Sequence, residues 1–139
     1  IMVFYNRLLV FNPQKQEGKP NHTRGNSYKN QKNNNYGDYI QKNEKIGNTS
    51  KHPKSVLYYA KPHPPLIPHQ KPVDLLRYLI RTYTHKGALV LDNCIGSGTT
   101  AIACMEEERN FIGMDKTPAH HKIATKRVEN YQERKQHNN

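Results

Sequence analysis

Hydrophobic and polar positions divide this chain into three zones. Residues 1–11 (IMVFYNRLLVF) are β-branched, aromatic and aliphatic, and predict a strand or a short hairpin. Residues 12–55 are rich in Asn, Lys and Gly, with apolar residues too sparse to build a core. That zone predicts a long loop or a partly disordered, basic insertion. Residues 56–139 hold nearly all the regular pattern.

Within the last zone, 55–60 (SVLYYA) reads as a short strand, and the Pro-rich stretch 61–71 as extended chain. Pro72 suits a first helical turn, because it has no N–H to leave unsatisfied. Val73, Leu76, Ile80 and Tyr83 then recur at helical spacing, and Gly87 marks a stop. A buried strand is predicted at 88–91 and a helix at 99–107, the two joined by a glycine turn. A second strand is predicted at 110–114. Thr117 and Pro118 open a last helix to about residue 134, with His120, Ala124, Val128 and Tyr131 on one side. Alternating strands and helices predict an α/β, Rossmann-like subdomain with a parallel sheet covered on both faces.

Composition narrows the function. Of 139 residues, 34% are hydrophobic, so the core is small or confined to part of the chain. The net charge of +11 favours a polyanionic partner, most simply nucleic acid, over the alternative of a generally Lys-rich proteome with no such partner. In 12–55 the acids are only Glu17, Asp38 and Glu44, while Tyr28, Tyr36 and Tyr39 interleave with Lys29, Lys32 and Lys42. Such a mixture contacts phosphates and stacks on bases, and it equally describes a solvated insertion. No long apolar run suggests a membrane span, and no leader suggests secretion. Cys94 and Cys104 are not a Cys-x-x-Cys pair and the histidines lack ligand spacing, so no metal is expected. Reduced thiols fit a cytoplasmic protein. Opening at Ile1, inside a strand-like run, suggests upstream sequence; a trimmed chain would look the same.

The candidate chemistry lies at Asp92-Asn93-Cys94-Ile95-Gly96-Ser97-Gly98-Thr99, where a strand ends and a helix begins. Gly96 and Gly98 let backbone approach a nucleotide-like ligand, and the helix N-terminus offers free N–H groups. Asp115, at the end of the next strand, can accept hydrogen bonds from ribose hydroxyls, and its loss is expected to leave the fold intact. A ligand-free strand–helix turn explains a lone Gly-x-Gly equally well. The full register of strand, turn, helix, strand and acid is what points to a ligand. Ala101 stands where a dinucleotide fingerprint has its third glycine, and no Gly-Lys-Ser/Thr phosphate loop is present.

Three motifs in order resemble a known family. Pro68-His69-Gln70-Lys71-Pro72 resembles the His-Pro-Thr-Gln-Lys-Pro stretch of DNA amino-methyltransferases, in the permuted branch that places it before the glycine turn. Residues 91–100 look like that family's Asp-Pro-Phe-x-Gly-Ser-Gly-Thr loop, 111–115 like its next strand, and 123–128 like its closing helix. Residues 1–14 resemble the segment after its catalytic loop. Ile67 and His69 replace the family's His and Thr, Asn93 and Cys94 replace Pro and Phe, Asp115 replaces Glu, and His120 replaces a frequent aromatic.

The resemblance implies S-adenosylmethionine as cofactor and DNA as substrate, in a restriction-modification setting. It implies methyl transfer to the exocyclic amino group of adenine, with cytosine the second choice. The implied cofactor residues are Pro68, His69, Gln70, Lys71, Asp92, Asn93, Cys94, Ile95, Gly96, Ser97, Gly98, Thr99 and Asp115. The family's Asp/Asn-Pro-Pro-Tyr/Phe catalytic tetrapeptide does not occur in these residues, and no catalytic residue is assigned. His63-Pro64-Pro65-Leu66 lacks the acid or amide and the aromatic, and reads as linker. The expected organisation is a strand from the catalytic half (1–11), a basic insertion in the target-recognition position (12–55) and a cofactor-binding subdomain (56–139). Alone, the chain is expected to be inactive, with the catalytic segment supplied from upstream or by another chain. A decayed remnant and a non-enzymatic basic DNA-binding module are the alternatives.

Overall fold

A computed structural model describes residues 10–21 and 47–137. The chain divides into two units: Lys15–Ser55, and residues 1–14 with 56–139. In the first unit, β1 (Gln16–Glu17) pairs antiparallel with β2 (Ser50–Lys51), Gln16 opposite Lys51. The ladder continues through Gly18 N–H to Thr49 O at 2.8 Å and Asn21 N–H to Asn48 O at 3.1 Å. Lys51 Nζ donates to Asn48 O at 3.1 Å and to Asn21 Oδ1, so a lysine ties the pair together. Tyr28, Tyr36, Tyr39 and most of the basic zone lie outside the described residues.

The second unit carries α1 (Val73–Tyr83), β3 (Leu89–Asp92), α2 (Thr99–Glu106), β4 (Asn110–Gly113) and α3 (Pro118–His137). The expected order is present. Pro72 sits one residue earlier than predicted, as the extended N-cap of α1 with φ −62° and ψ 139°. β3 and β4 are parallel, with Leu89 opposite Asn110 and Asp92 opposite Gly113. Two further stretches are expected as flanking strands, 1–11 and 55–60. Residues 1–9 lie outside the described residues, and Val10 and Phe11 are not in a strand. Phe11 instead rests its ring 6.1 Å from that of Tyr83, and Asn12 N–H donates to Thr82 O at 2.7 Å. Residues 55–60 alternate as a strand would, with Val56 and Tyr58 exposed and Leu57 and Tyr59 half-buried, but they pair with no strand among the described residues. Tyr59 packs on Tyr78 of α1. An extended run needs a neighbouring ladder to become sheet, and side-chain alternation does not supply one.

The core explains why α2 lacks an amphipathic stripe. It contacts α1, β4 and α3, and every residue from Thr99 to Cys104 is buried. A helix enclosed on several sides is apolar or small all round. Ala103 and Cys104 pack with Ile80 of α1, joined by Val73, Leu76, Val90 and Phe111. On the α3 side, Ala101 packs with Ala124 and Ile95, backed by Phe111 and Val128. The α3 face predicted from spacing is therefore the packed one. Burial pushes the Cys104 thiol up to about 11.

The second sheet face departs from expectation. Val90 and Phe111 point into the core, whereas Leu89 and Leu91 of β3, with Ile112 and Met114 at β4, are about half or more exposed. Among the described residues, a parallel sheet meant for two covers has one.

α1 and α2 are also joined by charge. Glu107, its side chain 11% exposed, accepts from Arg77 Nε at 2.7 Å and from Arg81 Nη2 at 2.6 Å. These bonds, Arg81 foremost, hold its carboxyl down at about 2. Arg109 reaches back to Thr84 O at 2.8 Å and Thr84 Oγ1 at 3.1 Å, placing a cation at the carboxyl end of α1.

Candidate functional site

The turn between β3 and α2 is built by backbone conformations that favour glycine. Gly96 has φ +55° and Gly98 φ +78°, both left-handed. Their roles differ from the shared one expected. A Cβ on Gly96 would stand 3.0 Å from Ile67 Cδ1, so the space above this glycine holds a side chain of the preceding loop. A Cβ on Gly98 would stand 3.1 Å from both Cα and Cβ of Ala124. Gly98 thus serves close packing of the turn on α3, and it does not line the cavity described below. Gly113 plays an equivalent part, leaving room for Ile95, whose amide donates to Met114 O at 2.8 Å.

Two carboxylates brace the turn from adjacent strand ends. Asp92 Oδ1 accepts from Cys94 N–H at 3.0 Å, and its Oδ2 from the Thr100 hydroxyl at 2.5 Å. Asp115 Oδ1 accepts from Thr117 N–H at 2.8 Å, and its Oδ2 from Gly96 N–H at 2.9 Å. His120 Nδ1 lies 3.5 Å from Asp115 Oδ1. The Thr117 amide first, then the Gly96 amide and His120, hold the Asp115 carboxyl below the ordinary range against a partial desolvation. Asp115 is therefore part of the turn and of the start of α3, and it is less separable from the fold than a strand-end acid suggests.

The loop before α1 forms the facing wall. Rather than running extended, it turns: Gln70 N–H donates to Ile67 O at 3.1 Å. The Gln70 side chain, 8% exposed, accepts from Leu66 N–H at 2.7 Å and closes the loop on itself. Thr99 Oγ1 is 3.3 Å from Lys71 O, joining this loop to the first residue of α2.

Between these walls lies a cavity of about 360 Å³. His69, Gln70, Lys71, Asp92, Cys94, Ile95, Gly96, Ser97, Thr99 and Asp115 of the expected set surround it. Pro68, Asn93 and Gly98 of that set do not. Ile67, Leu76, Thr100 and His120, outside the expected set, line it as well. Ile67 and His120 were legible as departures from the motif pattern; Leu76 reads as core on the helix face; Thr100 carries no signal beyond following Thr99. Among the described residues, no three His, Cys, Asp or Glu converge as metal ligands. No helix there is long and apolar enough to cross a membrane.

Comparison with known proteins agrees with these motifs. Residues 4–126 match the model of the N6/N4 DNA methylase family. The chain is 47% identical over 60 residues to the type II methyltransferase M.BglI of Bacillus subtilis, covering 43% of this chain and 17% of that protein. It is 41% identical over 76 residues to the type II methyltransferase M2.DpnII of Streptococcus pneumoniae, covering 55% and 27%. The crystal structure of the M1.HpyAVI–SAM complex aligns over 60% of this chain and 47% of that one, at 30% identity and a TM-score of 0.46. The chain spans less than a third of the length of these two curated relatives. With the family match running over most of its length, the chain belongs to the N6/N4 DNA methylase family.

Proposed function

We propose that this chain is the S-adenosylmethionine-binding part of a DNA amino-methyltransferase, which modifies adenine in preference to cytosine. The observation that carries this reading is the cavity between the 67–71 loop and the glycine turn, with a carboxylate at the end of each strand. Its volume lies in the range of small-molecule pockets, about 300–1,000 Å³. The donor set fits as well. Each Asp115 oxygen accepts one backbone N–H and keeps capacity for a ribose hydroxyl. Asp92 brings negative charge beside a ligand that carries a sulfonium and an ammonium. His69, Lys71, Cys94, Ser97 and Thr99 complete the walls. When bound, the cofactor supplies a methyl group activated on sulfur. These residues bind and orient it.

The base and its amino group would be gripped by an Asp/Asn-Pro-Pro-aromatic loop, which the 139 residues do not contain. The bare sheet face of Leu89, Leu91, Ile112 and Met114 suits an apolar partner such as the segment that carries this loop. The basic zone 12–55 would meet DNA phosphates, in a cytoplasmic setting where Cys94 and Cys104 stay reduced. Calorimetric titration with S-adenosylhomocysteine, and incubation with labelled S-adenosylmethionine and mixed-sequence DNA, test the proposal. Saturable binding without label transfer is expected. Absence of binding would overturn the cofactor reading; label in DNA that depends on the chain would overturn the need for a separate catalytic segment.

A further inference from the structure

We propose that Arg127 of α3 is a positioning residue that couples the two walls of the cavity through the Thr99 hydroxyl. Arg127 does not line the cavity; it reaches the turn from behind. Its Nη1 donates to Ser97 O at 3.1 Å and to Thr99 Oγ1 at 3.1 Å, with Ser97 Oγ at 3.4 Å. Thr99 Oγ1 is 3.3 Å from Lys71 O and 3.2 Å from Ser97 Oγ. Polarity orders this network. A guanidinium donates and never accepts, so the Thr99 hydroxyl accepts from Arg127 and directs its single proton elsewhere. Lys71 O can only accept, so the chain runs from Arg127 through Thr99 to the facing loop. A side chain with no N–H donor in place of Arg127 would leave the hydroxyl rotor without this direction.

Burial supports a dedicated role. The guanidinium is desolvated beside α2, whose N-terminus is itself electropositive, and that burial lowers its pKa. A cation in such a place is costly unless its donors are well used. Here the Nη1 donors reach backbone and hydroxyl oxygens of the turn itself. The hydrogen bonds of Arg127 go to Ser97 and Thr99 and not to the 67–71 loop, so an effect of its removal on that loop must pass through Thr99.

The consequence for ligand binding rests on the cofactor reading of the cavity, but the coupling does not. In Arg127→Met, which keeps an apolar stem, amide hydrogen exchange should quicken about tenfold at 96–99 and also at 69–71, with α1 beyond its first turn unchanged. S-adenosylhomocysteine affinity should fall about tenfold. On a Thr99→Val background the same change should add little at 69–71, and Arg127→Lys should restore part of the protection. Uniform acceleration across the fold, or equal effects in the two backgrounds, would reduce Arg127 to a general stabiliser and overturn the proposal. If the unaltered chain binds no S-adenosylhomocysteine, the cofactor reading fails while the exchange pattern still decides the coupling.

Discussion

Gly98→Ala is the sharpest test of how the turn is built. The residue has φ +78°, where an L side chain costs about 1–2 kcal/mol. The new Cβ would meet Ala124 Cα and Cβ at 3.1 Å and Ala124 O at 3.4 Å. These are helix atoms that must yield by a few tenths of an ångström, an overpacking cost of about 1–2 kcal/mol. Against this, alanine restricts the unfolded chain and returns about 0.4–1 kcal/mol. The net loss is about 2 kcal/mol. For a unit of this size that corresponds to a fall in Tm of roughly 8–16 °C. Thermal unfolding followed by circular dichroism reads it. Placing the change on an Ala124→Gly background separates part of the packing cost: the share due to Ala124 Cβ should vanish, while the contact with the backbone at 124 and the conformational part remain. A Tm within about 2 °C of the parent would refute the reasoning, because neither the strained backbone nor the close helix approach would then be real.

Other outcomes follow from the same geometry. Cys94 is exposed at the cavity while Cys104 is buried with its thiol near 11, so a maleimide should label Cys94 alone and S-adenosylhomocysteine should slow that labelling; equal labelling with and without ligand would contradict the placement. Glu107 has its pKa depressed from 4.5 to about 2, so its contribution is complete above about pH 4.5 and is lost as pH falls toward 2. After discounting for solvent screening at its partly exposed arginine partners, that contribution is on the order of 1–3 kcal/mol, and urea unfolding of Glu107→Gln should lack this acid-side decline. On the proposed contact of residues 12–55 with phosphates, DNA affinity should drop steeply with salt, and deleting residues 14–50 should flatten that slope; an unchanged slope would assign the contacts to 56–139.

Local rules carried far in this chain. Val73, Leu76, Ile80 and Tyr83 mark α1 by their spacing, and Pro118 marks the start of α3 by its missing N–H. The glycine turn and its two acids were legible because strand end, turn and helix start are sequence neighbours. What the sequence left open depends on residues far apart along it. Whether 55–60 becomes a strand depends on a partner that alternation alone cannot name. The presence of a second cover on the sheet is likewise invisible in Leu89 or Ile112 themselves. Gly96 and Gly98 look alike in sequence, yet one lies under Ile67 and the other against Ala124. Asp115 reads as a ligand acid, but folding also makes it the acceptor for the Gly96 amide. Arg127 reads as one more basic residue on an exposed helix, and only the packing of α3 behind the turn sets it beside Thr99. Periodicity and turn chemistry fix what each segment is; which side chains meet is decided when the segments pack, because hydrogen bonds and steric contacts act across space rather than along the chain.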